Sequence, residues 1–177
     1  MAIPVTIEDA RRQIRLAEDD DSQDADLRQF IDDAAAWVED YTGHILVARD
    51  VTETFRGFGA VGLRAWPVKP GAVPGVAYVD ADGAPVAIVG ARLDISGRPA
   101  RVLPPSGRFY SFRDAQQAFT VTIRAGYEDD DAVPGNFRRA MLILISAYDS
   151  DREGGKVFQD AEASARRLCG RRRSRTL

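Results

Sequence analysis

The sequence predicts an α+β protein: a helical bundle of about four helices with a small antiparallel β insertion between helices 2 and 3. Three observations lead to this fold class. Apolar residues have helical spacing at both ends of the chain, short β-branched segments lie between them, and 45% of the 177 residues are hydrophobic. We expect residues 1–44 to form the N-terminal part of the bundle, 45–126 the β insertion, and 127–177 the C-terminal helices and basic tail that complete the bundle.

Two helices are expected before residue 44. Thr6 and Asp9 form a variant capping box, because each side chain can satisfy a free N–H group at a helix start. Ser22 or Asp24 can cap the second helix, and Gly43 supplies the left-handed residue that ends it. The apolar stripe of this second helix has spacings of three and four and consists of Leu27, Phe30, Ile31, Ala34, Val38 and Tyr41.

Residues 44–126 carry strand and turn signals. Val51 and Phe55 alternate with threonines, which is typical of a strand, and the segments Gly75–Val79 and Ala84–Val89 flank a turn-forming Asp80–Gly83. A flexible turn is expected at Gly57, Gly59 and Gly62. Further short strands are expected at Leu63–Trp66, Arg92–Ile95, Ala100–Leu103 and Ala118–Arg124. The order in which these strands pair is not predicted.

The helical pattern returns after Asp131. Pro134 suits a first helical turn, and Ala140–Tyr148 is apolar on nearly every face, which predicts the central helix of the bundle. Gly154 and Gly155 end that helix. A last helix follows, with Phe158, Ala161, Ala165 and Leu168 on one side.

Charge is distributed unevenly along the chain. The net charge is only -3, but the two ends differ. The chain up to Asp40 has twelve acidic and four basic residues, whereas the chain from Arg166 onward has six arginines and no acidic residue. An acidic beginning and a basic end indicate charged contacts at the two ends rather than uniform nucleic-acid binding. No apolar run is long enough to cross a bilayer, so no membrane partner is expected.

Residue types that support catalysis or metal binding are scarce. His44 is the single histidine, and we expect it to be a surface or packing residue. Cys169 is the single cysteine, which excludes an intrachain disulfide and a cysteine-based zinc site. Asp80 and Asp82 faintly suggest a calcium loop, but Val89 stands where that loop needs glutamate, so a hairpin is favoured. We therefore expect no enzyme, no catalytic residue, no cofactor and no metal.

Several segments together resemble the head–tail connector (adaptor) family of tailed phages and of gene transfer agents. They are TIEDARRQIRL, LRQFIDDAAAWVEDYTGHIL, YVDADGAPV, IRAGYEDDDAVPGNFRRAMLILISAYDSDREG and ARRLCGRRR, in that order over nearly the whole chain. The resemblance implies a structural protein at the neck of a virion or phage-like particle, made in the bacterial cytoplasm. It further implies a ring, usually of twelve copies, that docks on the portal, receives the next stopper or tail protein, and continues the DNA channel. The chain departs from the family in its unusually arginine-rich end.

The last helix and the basic tail are the expected docking surface for the portal and for neighbouring subunits. The predicted residues are Phe158, Ala161, Ala165, Arg166, Arg167, Leu168, Arg171, Arg172, Arg173 and Arg175. Two alternatives remain for the tail, contact with DNA phosphates and a solvated end, because arginine binds carboxylates and phosphates equally well. The alternative function is accordingly a DNA-binding or packaging accessory protein, and a weaker one is a metal-dependent hydrolase that uses the acidic loops. Trp37 is expected in the core rather than as an interface anchor.

Overall fold

The computed structural model describes residues 4–17, 19–80, 82–105, 110–111 and 118–173. The chain divides into two compact units. We call residues 1–47 and 127–173 the helical unit and residues 48–126 the β unit. Helices and antiparallel strands are both present, so the predicted α+β class is confirmed.

Helices in the described part of the chain belong to the helical unit. They are α1 (Ile7–Ile14), α2 (Asp24–Thr42), α3 (Gly135–Ser150) and α4 (Lys156–Cys169). The capping box predicted at Thr6 is present: its hydroxyl accepts from the Asp9 N–H, and the Asp9 carboxylate accepts from the Thr6 N–H. Gly43 ends α2 with φ of 67°, a left-handed conformation that glycine adopts without steric cost.

A single hydrophobic core joins the four helices. Helix α3 contacts α1, α2 and α4, in agreement with its apolar composition, and Phe137 and Leu144 are fully buried along it. The other helices add Ala10, Leu27, Ile31, Val38 and Ala165 to the same core. Burial of large apolar side chains on this scale is the main favourable contribution to folding.

The β unit contains nine short strands among the residues described. They are β1 (Arg49–Phe55), β2 (Gly57–Phe58), β3 (Val61–Gly62), β4 (Gly75–Val79), β5 (Pro85–Ala87), β6 (Arg92–Asp94), β7 (Arg101–Leu103), β8 (Tyr110–Ser111) and β9 (Phe119–Ala125). They form three antiparallel sheets, with the orders β1-β9-β4-β5, β2-β8 and β3-β7-β6. In the four-stranded sheet, the side chains of Phe119, Val121 and Ile123 on β9 are buried on one face.

The predicted turn between β4 and β5 is confirmed. The Asp80 carboxylate accepts from the N–H groups of Asp82 and Ala84, and Gly83 takes φ of 83°. Aspartate and glycine are the residues that such a turn requires, because one binds backbone N–H groups and the other allows positive φ.

Two expectations for the β unit are wrong. Leu63–Trp66 is not a strand, because the Glu53 carboxylate accepts from the Arg64 and Ala65 N–H groups at 2.9–3.0 Å and so occupies donors that a ladder would need. The strand lies just before it, at Val61–Gly62. Two of the glycines expected in a turn, Gly57 and Gly62, instead lie in short strands.

None of the helices in the described residues is both long and apolar enough to cross a membrane.

Candidate functional site

The predicted docking residues on α4 divide into a packed set and an exposed set. Ala165 is completely buried, and Phe158 and Leu168 are partly buried against the helical core. Ala161 is partly buried as well, whereas Arg166 and Arg167 are exposed. The apolar members therefore hold α4 on the helical unit, and the arginines are the members that a partner can reach.

Both ends of α4 are fixed by side-chain hydrogen bonds. At its start, the Asp151 carboxylate accepts from the Phe158 N–H at 3.1 Å and from the Gly155 N–H at 3.0 Å, and these bonds lower the pKa of Asp151. At its end, Asn136 Nδ2 donates to the Leu168 carbonyl at 2.7 Å, which satisfies one of the free carbonyls of the last turn. The arginines of this helix thus project from a fixed support.

An aromatic–arginine cluster lies where α2 meets the end of α4. The ring of Tyr41 has the Arg173 guanidinium at 5.0 Å from its centroid and the Arg166 guanidinium at 5.6 Å. Trp37, one turn earlier on α2, stacks on Tyr41 with centroids 5.1 Å apart and planes 16° apart. Arginine over an aromatic ring is attracted by the ring quadrupole, so these contacts orient the two guanidinium groups.

Glu162 connects the cluster because its carboxylate accepts hydrogen bonds from a residue of α2 and from a residue of α4. Its Oε1 accepts from Arg166 Nη2 at 2.7 Å and from Trp37 Nε1 at 3.2 Å, and these bonds lower the pKa of Glu162. The same carboxylate raises the pKa of Arg166. Trp37 packs at the margin of the core rather than within it, with its indole N–H turned to this carboxylate. Together with Arg167 and Arg171, we call Trp37, Tyr41, Glu162, Arg166 and Arg173 the α2–α4 surface.

His44 anchors the short turn that continues α4. A 3₁₀ turn spans Gly170–Arg172, and the carbonyl oxygen of Arg172 lies 3.2 Å from His44 Nε2. Because a carbonyl oxygen only accepts, Nε2 must carry the hydrogen. The other ring nitrogen, Nδ1, lies 2.8 Å from the Tyr127 hydroxyl. His44 is only 3% exposed, so it is a packing residue with two specific partners that the sequence did not indicate.

The side chains of the C-terminal turn remain on the outside. Arg171, Arg172 and Arg173 are exposed although their backbone is held against the helical unit. Arg175 lies outside the described residues. Through residue 173 the backbone of the basic end thus belongs to the folded helical unit, while its arginine side chains face solvent.

No group of three or more histidine, cysteine, aspartate or glutamate side chains among the described residues could hold a metal ion. Cys169 is buried, and its desolvation raises the pKa of the thiol to about 11, which keeps it protonated at neutral pH. The α2–α4 surface, with its aromatic rings and arginines, is instead suited to binding another macromolecule.

Chains of known structure share this fold over nearly their whole length. A chain from the neck of an empty gene transfer agent (GTA) particle, computed with C6 symmetry, has a TM-score of 0.72 and 21% identity, covering 98% of this chain and 93% of that one. A chain from the virion of the native GTA particle has a TM-score of 0.75 and 21% identity, with 100% and 95% covered. A chain from the neck of the native GTA particle, computed with C12 symmetry, has a TM-score of 0.62 and 24% identity, with 100% and 94% covered.

No family model and no curated protein matches the sequence. The resemblance to head–tail connectors is thus confirmed at the level of the fold, which the chain shares with neck and virion chains of GTA particles.

Proposed function

We propose that this chain is a structural head–tail adaptor in the neck of a phage or a GTA particle, and that it has no enzymatic activity. The observation that carries the proposal is the agreement in fold with GTA neck and virion chains over 98–100% of this chain. Agreement over nearly all of this chain, rather than over one subdomain, supports a comparable role for the chain as a unit.

In this proposal the chain forms a ring, of twelve copies, that continues the DNA channel without reading sequence. Two of the similar chains belong to necks computed with C6 and C12 symmetry, which supports a ring around a common axis. The helices act as the bundle that builds the ring wall, and residues 45–126 act as an insertion within it. The portal lies on one side of the ring and the next stopper or tail protein on the other.

The α2–α4 surface is the proposed portal contact. Tyr41 and Trp37 supply rigid aromatic area, and Arg166 and Arg173 are held in place before a partner arrives, which lowers the entropic cost of binding. Arg167 and Arg171 add charge, since neither has an ion-pair partner among the described residues. Exposed arginines of this kind fit carboxylates on the portal.

A mass measurement of the purified chain mixed with the portal protein of the same particle tests the proposal. We expect a stoichiometric ring complex, and electron microscopy of the particle neck should show the chain repeated around the axis. Failure to associate with the portal would contradict the adaptor role.

A charge-reversal pair tests the surface itself. Arg167→Glu with Arg171→Glu should weaken portal binding by about tenfold or more, since each change replaces an attraction with a repulsion. The matched control, Arg139→Glu with Lys156→Glu, makes the same change of charge at exposed positions of the same unit outside the α2–α4 surface.

Deletion of Gly170–Leu177 should likewise weaken particle assembly. If these variants keep portal binding and lose only a salt-sensitive affinity for duplex DNA, the packaging-accessory function replaces the adaptor function.

A further inference from the structure

The β unit carries an arginine group that the proposed portal contact does not use. It lies on the hairpin formed by β6 and β7, where Arg92, Arg98 and Arg101 are all exposed. The β unit as a whole has ten basic and six acidic residues, whereas the helical unit through residue 173 has 21 acidic and 13 basic ones. The two units of a single chain are therefore opposite in net charge.

The hairpin holds these arginines on a rigid support. Its strands pair in register, with Arg92 opposite Leu103 and Asp94 opposite Arg101, and the turn between them is tightened by the Ser96 N–H, which donates to Asp94 at 2.9 Å. The Arg98 guanidinium lies over the Trp66 ring at 5.6 Å from its centroid. A stacked guanidinium loses less conformational freedom on binding than a solvated one does, so Arg98 binds a partner at a lower entropic cost.

The partner's chemistry follows from what lines the hairpin. Asp94 borders the same shallow hollow, about 250 Å³, as Arg98 and Arg101. The Asp94 carboxylate, which is opposite Arg101 in the strand register, repels a continuous phosphate backbone, whereas separate carboxylates on a protein can bind the arginines without approaching it. The hairpin therefore fits an acidic protein surface better than nucleic acid.

Such a surface is present on α2 of this same chain. Asp32 and Asp40 lie two helical turns apart on its exposed side, with the small residue Ala36 between them. Neither carboxylate has a basic side chain within ion-pair distance among the described residues. Because Ala36 is small, it leaves both carboxylates open to arginine side chains, one at each carboxylate.

We infer that the β6–β7 hairpin of one copy binds the exposed acidic side of α2 on a second copy. This contact joins different surfaces of two identical chains, so it can repeat around an axis and close a ring. The inference rests on the proposed ring, and it adds which surfaces meet within it. It also gives the β insertion a role between neighbouring subunits that is separate from the portal contact of the α2–α4 surface.

Sedimentation of the purified full chain over a range of protein and salt concentrations tests the contact. We expect self-association that weakens as salt is added, because the contact depends on exposed charges. Arg98→Glu with Arg101→Glu should weaken self-association about tenfold, as should Asp32→Arg with Asp40→Arg. Arg64→Glu and Asp19→Arg, which change charge at exposed positions elsewhere in the same units, should leave it unchanged.

The decisive sample is the chain that carries all four reversals. If the two surfaces meet, the reversed pair again attracts, and self-association should return to near the wild-type level. The inference would be overturned if the variant with all four changes self-associated as weakly as the two double variants. It would also be overturned if the wild-type chain remained monomeric at every concentration. An arginine variant that keeps self-association but loses affinity for a fluorescent DNA duplex would assign the hairpin to nucleic-acid binding instead.

Portal binding by the Arg167→Glu, Arg171→Glu variant is measured independently. Failure of the contact between copies and failure of the adaptor role can therefore be told apart.

Discussion

The helical unit and the β unit use their apolar residues in different ways. In the helical unit one continuous core includes residues from all four helices, and Phe137, Met141, Leu144 and Ile145 of α3 are fully buried in it. In the β unit three small sheets bury fewer large side chains. Four of the five exposed large hydrophobic residues found in the described chain lie there, and these are Val73, Val79, Val89 and Ile95.

Under the proposed function, this difference assigns the two units different tasks. A continuous core gives the helical unit a stable support for the α2–α4 surface, on which aromatic rings and arginines are fixed by Glu162 and His44. The β unit leaves Val73, Val79, Val89 and Ile95 exposed to solvent, together with the arginines of the β6–β7 hairpin. Stability is therefore expected to depend mainly on the first unit and assembly on both.

The largest effect should come from opening the helical core. Phe137→Ala removes a fully buried ring that also packs edge-on against His44, with centroids 5.0 Å apart. We expect a loss of about 3–5 kcal/mol in the free energy of unfolding, measured by urea denaturation. Phe119→Ala, the comparable change in the β unit, should cost less, because its neighbour Tyr78 is only partly buried and can move into the space. Equal costs would remove the proposed difference between the two units.

The next effect should come from the His44 anchor. His44→Ala leaves the Arg172 carbonyl and the Tyr127 hydroxyl without this partner, at a cost of about 1–3 kcal/mol. The turn at Gly170–Arg172 should also loosen, so trypsin should cleave after Arg171 or Arg172 faster than in the wild type.

Tyr127→Phe provides the matched control for this anchor. It removes the hydroxyl bonded to Nδ1 but keeps the bond from Nε2 to the Arg172 carbonyl. Its cleavage rate should therefore stay near that of the wild type. If both variants are cleaved equally fast, the bond to Arg172 is not what holds the C-terminal turn.

The structural features that could be predicted from the sequence are those formed by residues close together in the chain. Thr6 and Asp9 cap α1 from three residues apart, and Gly43 ends α2, so both signals can be found without knowledge of the rest of the fold. The turn at Asp80–Gly83 is equally local. These elements are present where the spacing predicts them.

The contacts that could not be predicted join residues far apart in the chain. His44 meets Tyr127 and Arg172 across 83 and 128 residues, and no local pattern marks a histidine for such partners. The Glu53 carboxylate accepts from the N–H groups of Arg64 and Ala65, so these donors are not available for pairing in the segment that the sequence predicted as a strand. The arginines proposed for the portal contact stand out in the sequence, whereas the aromatic rings on α2 that orient Arg166 and Arg173 do not.

Acid should affect the helical unit more than the β unit. Among the described carboxyl groups, those with a lowered pKa in the helical unit are Glu8, Asp9, Asp20, Asp151 and Glu162, and the β unit has Asp94. A carboxyl whose pKa is lower in the folded than in the unfolded chain contributes stability above its unfolded pKa, and this is lost as the pH falls through its folded pKa. The melting temperature should thus decrease as the pH falls below 4.5 and 3.8, the ordinary pKa values of glutamate and aspartate.

Asp151→Asn tests how much of this acid sensitivity comes from one helix start. The carboxylate accepts from two N–H groups of α4, so the variant should be less stable than the wild type at pH 7. The two melting temperatures should converge at low pH, where the wild-type carboxyl is itself protonated. Asp82→Asn, exposed at the turn between β4 and β5, controls for the change of charge. A difference from the wild type that persists unchanged at low pH would show that the carboxylate charge is not the cause.

The smallest effect should come from the exposed valines of the β unit. Val73 and Val89 are each 86% exposed, so Val73→Thr with Val89→Thr should change the free energy of unfolding by no more than about 0.5 kcal/mol. Val76→Thr, three residues from Val73 but only 3% exposed, should cost clearly more, because it places a hydroxyl in an apolar site. Denaturation curves for the two variants measure this contrast directly. If the exposed pair proved as costly as Val76→Thr, these valines would belong to the packing of the β unit, and its apolar surface could no longer be assigned to contacts outside the chain.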